Sequence, residues 1–134
     1  MTKPNILLTV SSIAFFGAAV LLLFAPEELT RLAGGSTSTA VQALLQLVGS
    51  GLFGFALLNW MARYTRTDGI FGRPLVMANL GHTASAGLLL GHIAVRNKVS
   101  ALFLAPVAFY GLLALAFGFQ LLARGPRVAP GHQE

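Results

Sequence analysis

The chain has 134 residues, 55% of them hydrophobic and 10% charged, and is far more apolar than a soluble domain, about a quarter of which is charged. Its formal net charge of +5 is carried by basic residues spaced between apolar runs, not gathered on one face, which excludes a nucleic-acid partner. It has no cysteine, so disulfides, thiolate metal sites and cysteine nucleophiles are excluded too.

The first apolar run, Ile6 to Phe24, is longer than the apolar part of a signal peptide. It ends in Ala25-Pro26-Glu27-Glu28, where proline opposes cleavage, so it reads as a retained first span. Glu27 to Leu32 follows with two readings open. One is a short interfacial helical turn with Leu29 and Leu32 on one side; the other is an irregular loop. Gly34-Gly35 and the cluster Ser36-Thr37-Ser38-Thr39 then lead into a second run, Ala40 to Met61.

Pro74 opens a third run, Leu75 to Val95, and a fourth covers Ala101 to Leu122 with Pro106 inside it, where a kink is expected. Each run is close to the ~20 residues that cross a bilayer core, and none contains Asp, Glu, Lys or Arg. A backbone in lipid must satisfy its own hydrogen bonds, so all four are expected to be helices. The predicted fold is therefore all-α: an integral membrane four-helix bundle, multi-pass, with antiparallel neighbours. It forms a single domain over residues 1–123, with spans at 6–24, 40–61, 75–95 and 101–122, and residues 124–134 form a flexible tail.

Lysine and arginine counts set the orientation. Lys3, Arg63, Arg66, Arg73, Arg124 and Arg127 fall on one side of a four-span chain, against Arg31, Arg96 and Lys98 on the other. Six against three predicts cytoplasmic termini in a cell inner membrane, with Trp60 and Tyr64 at the inner interface. Packing in lipid favours small residues, and Ser50 with Gly54, Gly81 with Ser85, and Gly87 with Gly91 are each four apart. The second and third spans are thus expected to form the tight centre. The Phe-rich first and fourth, with Phe15, Phe16, Phe103, Phe109, Phe117 and Phe119, are expected to face lipid.

The third span carries the candidate site. Asn79, His82, Ser85 and His92 fall within roughly 140° on a helical wheel, a polar stripe on an otherwise apolar helix. Depth matching against the antiparallel second span places Gln42 and Gln46 near His92 and Asn59 near Asn79, leaving His82 nearest the middle. Two readings compete. One is a small polar cavity with His82 as proton acceptor or ligand contact; the other is interhelical hydrogen bonding, at about 0.6 to 2 kcal/mol a pair. His92, beside Arg96, reads as a solvated residue.

His82 and His92 lie roughly 15 Å apart along the helix axis, too far to share a metal, and His132 sits in the tail. No metal site and no cofactor is predicted. The only acids, Glu27, Glu28, Asp68 and Glu134, lie outside the spans, so no catalytic residue is assigned.

In the runs Leu23-Phe24-Ala25-Pro26, Leu32-Ala33-Gly34, Asn59-Trp60-Met61-Ala62-Arg63 and Ala78-Asn79-Leu80-Gly81-His82, the chain resembles small bacterial four-span inner-membrane proteins and, distantly, the DoxX-like group. The resemblance covers about Ile6 to Leu122. It implies a membrane fold and carries over no activity and no functional residue. The functional expectation is a small bundle in the lipid bilayer that binds a lipophilic molecule, or supports a membrane-protein partner or a second copy of itself, through the stripe on the third helix. An oligomeric transporter or proton-conducting bundle, and an isomerase acting on a lipophilic substrate, stay open as alternatives.

Overall fold

The computed structural model describes residues 3–67 and 69–123, and among these every regular element is a helix. Five occur in order: α1 (Ile6–Phe24), α2 (Pro26–Leu32), α3 (Thr39–Met61), α4 (Gly72–Arg96) and α5 (Ala101–Ala123). The expected tail, with Arg124, Arg127 and His132, lies outside the described residues.

Local chemistry explains the boundaries. Asn5 caps α1, its side-chain oxygen accepting from the Leu7 and Leu8 amides, and Ser38 caps α3 by accepting from Val41. Pro26 occupies the first turn of α2, where a missing N–H costs nothing, so the segment after the first run is helical and not an irregular loop. Gly34 (φ 77°) then takes the left-handed backbone that turns the chain away from α2. α4 begins three residues before the expected span, with Pro74 still in its first turn. α5 runs unbroken through Pro106.

α1 packs along α3, and α4 along α5. In the first pair Ser12 lies level with Ala56, Ala19 with Gly49 and Leu23 with Gln46, the steady register of two antiparallel helices. The buried seam residues Leu8, Ser12, Phe15 and Ala19 on α1 and Gly49, Leu52, Ala56 and Asn59 on α3 alternate steps of three and four, the spacing of a shallow left-handed crossing. Gly49 makes this approach close. A β-carbon there would lie 2.9 Å from Leu22 Cβ and 3.3 Å from the Ala19 carbonyl oxygen. In the second pair, Gly87 lies against Tyr110 and Gly111, and Gly118 against Leu80.

This pairing corrects the expectation that the second and third spans form the tight centre. Ser50, Gly54, Gly81 and Ser85 are exposed, and a β-carbon added at Gly54, Gly81 or Gly91 would meet nothing within 4 Å. A small-xxx-small pattern says that a close approach is sterically open, and the helices made theirs elsewhere. Of the two helices expected to face outward, α1 is the more buried, with Phe15 fully enclosed and Phe16 exposed, whereas α5 is mostly exposed and buries Leu113 and Phe117.

A second difference from expectation concerns the spans. α1, α3 and α5 are long and apolar enough to cross a membrane; α4, at 25 residues, has the length but not the apolarity. Arg73, Asn79, His82, Thr83, Ser85, His92 and its glycines dilute the leucines. Among the described residues the candidate spans, by length and composition, number three, not four.

Candidate functional site

The two helix pairs meet through two layers of side chains. The first is polar. Asn59 of α3 and Asn79 of α4 are both fully buried, and each donates its amide N–H to the other's oxygen at 2.8 Å. The remaining amide hydrogens are also used, Asn59 donating to Ser11 Oγ at 3.0 Å and Asn79 to the Leu75 carbonyl at 3.0 Å. Thr83 donates to the Asn79 carbonyl at 2.8 Å, and Ser12 crosses to the Ala56 carbonyl at 2.7 Å. Every donor in this layer is satisfied, as burial requires.

The second layer, one turn along, is aromatic. Phe15 sits at its centre with ring centroids between 5.7 and 6.5 Å from Phe55, His82, Phe109 and Tyr110, so one residue of α1 touches α3, α4 and α5. His82 stacks on Phe55 at 4.6 Å and meets Tyr110 edge-on at 5.6 Å. These are favourable ring geometries. The His82 Nε2 is nevertheless buried with no hydrogen-bond partner, a state that costs about 1–3 kcal/mol.

The predicted polar cavity between the second and third spans is therefore not formed as expected. Asn59 and Asn79 do come together, but they saturate each other, and His82 faces rings. Gln42 and Gln46 do not approach His92. Gln42 donates to Glu27 Oε1 at 2.7 Å and Gln46 to the Leu23 carbonyl at 3.1 Å, tying α3 to α2 and α1. His92 is exposed. Ser85, also exposed, bonds back to the Gly81 carbonyl of its own helix at 2.7 Å. Depth matching misplaced the glutamines because it assumed that α3 and α4 were the packed pair, whereas the glutamine side of α3 faces α1.

Behind the aromatic layer lies a cleft of about 620 Å³, within the usual size range of small-molecule sites. Tyr110 and Phe109 form its inner wall, Ala18 and Leu22 of α1 one side, and Leu29 of α2 part of its cover. Lys98 and Ser100, from the α4–α5 connection, stand among otherwise apolar lining residues. Comparison with protein-family models, with curated proteins and with solved structures returns no match. Any assignment thus rests on this geometry.

Sequence reasoning missed Ser11, Ser12 and Thr83 in the polar layer, and Phe15, Phe55, Phe109 and Tyr110 in the aromatic one. The adjacent hydroxyls Ser11-Ser12, inside a run of leucine, valine and phenylalanine, were the available signal that α1 has an inward-facing polar position. Nothing local marks Phe15 out from Phe16. Among the described residues, no three histidine or acidic side chains gather as a metal shell.

Proposed function

We propose that the chain crosses a cell inner membrane four times, with cytoplasmic termini, as a four-helix bundle that binds a lipophilic molecule in the cleft walled by Tyr110 and Phe109. The observation that carries the binding reading is the cleft itself: an apolar volume of about 620 Å³ backed by rings and containing one charged lining residue, Lys98. Such a space suits an apolar body, and fixed polar groups are too few to hold a polar one. The contact surface thereby moves from the polar stripe of α4 to the space between α1, α2 and α5.

The four-crossing reading is supported by how α4 packs. α4 lies level with α5 from Leu80 at Gly118 to Gly87 at Gly111, so a bilayer that contains α5 also contains α4. Three of its polar side chains are internally satisfied, Asn79 by Asn59 and Thr83 and Ser85 by carbonyls of their own helix. Met77, Leu88, Leu89 and Val95 cover its outside. Hydropathy counts an asparagine in full even when both its amide hydrogens are already bonded, which understates this helix.

Native mass spectrometry of the purified protein tests the binding reading. The wild type retains an apolar small molecule, and Ala18→Phe or Ala105→Phe, each of which fills the cleft, loses it. A species that is ligand-free in all three, and that takes up no added lipophilic probe, overturns the assignment.

A further inference from the structure

The cleft between α1, α2 and α5 carries its polar side chains in two places. Lys98 and Ser100 stand at one end, in the α4–α5 connection, and both are exposed. Tyr110 lies ten positions beyond Ser100, roughly 15 Å along the axis of α5. Among the lining residues that belong to helices it is the only polar one.

The protein makes no use of the Tyr110 hydroxyl. Among the described residues it forms no hydrogen bond, and the contacts of this side chain are made by its ring. The ring is firmly placed. Phe109 meets it at 5.4 Å and 75°, and His82 at 5.6 Å and 73°. Gly87 brings the α4 backbone close, so that a β-carbon there would lie 3.6 Å from Tyr110 Cβ. The neighbouring His82 Nε2 is itself without a partner, so the two groups do not satisfy each other. Phenylalanine would make the same ring contacts, and a half-buried hydroxyl ordinarily finds a partner. Packing therefore accounts for the ring of Tyr110 and not for its oxygen.

We infer that the Tyr110 hydroxyl is the polar contact for the occupant of the cleft, and that this occupant is a lipophilic molecule bearing a neutral oxygen acceptor. The inference rests on the binding reading above and adds what the cleft selects. A plain hydrocarbon chain leaves the hydroxyl unbonded. A carboxylate at Tyr110 would be a charge against an apolar wall, with the one lining cation, Lys98, at the far end of the cleft, and its desolvation costs more than one hydrogen bond returns. A carbonyl, ether or hydroxyl oxygen accepts from the phenol and needs no counter-charge. Because the ring is already fixed, the hydroxyl loses little freedom when that bond forms.

Two probes that differ in one group test this. One is methyl naphthyl ketone; the other is isopropenylnaphthalene, in which a methylene replaces the ketone oxygen. Each displaces the neutral fluorophore N-phenylnaphthylamine from the full chain in a single detergent. The ratio of the two affinities is compared between wild type and Tyr110→Phe, so that partition into micelles cancels. The ratio is expected to favour the ketone about fivefold more in wild type than in Tyr110→Phe, the worth of one neutral hydrogen bond. Hydrocarbon affinity stays unchanged, which shows the variant folded and its cleft intact. Tyr64→Phe removes a hydroxyl from an exposed tyrosine outside the cleft and keeps the wild-type ratio. If both probes bind and the ratio is the same in wild type and Tyr110→Phe, this inference is overturned and the cleft reading stands. A wild type that binds neither probe overturns the cleft reading and this inference with it.

Discussion

Asn59 and Asn79, twenty residues apart in sequence, close a reciprocal pair of 2.8 Å hydrogen bonds that joins the α1/α3 pair to the α4/α5 pair. All four amide hydrogens are bonded, so neither side chain offers a donor to a ligand. The pair is therefore a fastener between two halves, and its worth is that of a buried interhelical hydrogen bond.

Replacing either asparagine by leucine strands the other. Asn59→Leu and Asn79→Leu are each expected to cost about 1–2 kcal/mol, and the double variant less than their sum, because it leaves no orphaned amide. A double-mutant cycle on reversible unfolding in mixed detergent measures this. Strict additivity would show that the two side chains do not depend on each other.

Gly49 and Gly54 look alike in the sequence and differ in the fold. A β-carbon at Gly49 enters the α1/α3 seam 2.9 Å from Leu22 Cβ, and at Gly54 it meets nothing within 4 Å. Gly49→Ala is expected to destabilise by about 1–3 kcal/mol, whereas Gly54→Ala stays within about 0.5 kcal/mol or stabilises slightly through helix propensity. Thermal melts of the two variants in one detergent decide it, and equal shifts would mean that the seam is not where the packing puts it.

Helix type and extent were legible in the sequence because uncharged apolar runs near twenty residues long leave the backbone few alternatives. The Asn59–Asn79 contact was legible too, since polar side chains at matched depth on antiparallel neighbours have few other partners in lipid. Helix pairing was not legible. All four long helices offer glycine, alanine or serine at helical spacing, and which ridge is used depends on shape over the whole contact, as Gly49 against Gly54 shows. The aromatic layer was hidden for a related reason: Phe15 and Phe16 are chemically identical, and only rotation about α1 places one at the centre and the other outside.

His82 separates packing from recognition. Its ring is stacked and its Nε2 lacks a partner, so His82→Phe keeps the stack and removes the orphaned nitrogen. Stability is expected to hold or to rise by about 1 kcal/mol, while His82→Ala loses about 2 kcal/mol through the cavity it opens. If His82→Phe instead costs more than about 1 kcal/mol in the purified protein, the nitrogen is engaged there by a bound group, and the aromatic layer becomes part of the binding site.

The crossing number turns on α4, and the absence of cysteine makes it directly measurable. Ser36, Thr65 and Ser100 are exposed and lie in three successive connections, before α3, after α3 and before α5. In a four-crossing chain with cytoplasmic termini, single variants Ser36→Cys and Ser100→Cys react with a membrane-impermeant maleimide from outside intact cells, and Thr65→Cys reacts only after the membrane is opened. If α4 did not cross, Thr65 and Ser100 would share a side and label together. The physical case for crossing is that Asn79 and Thr83 spend their polarity inside the protein, so the bilayer meets Met77, Leu88 and Leu89 in their place. Asn59→Leu gives a further check. With Asn79 stranded, α4 becomes costlier to hold in hydrocarbon, and the Ser100→Cys label should become partly protected in that background and in no background that leaves the amide pair intact.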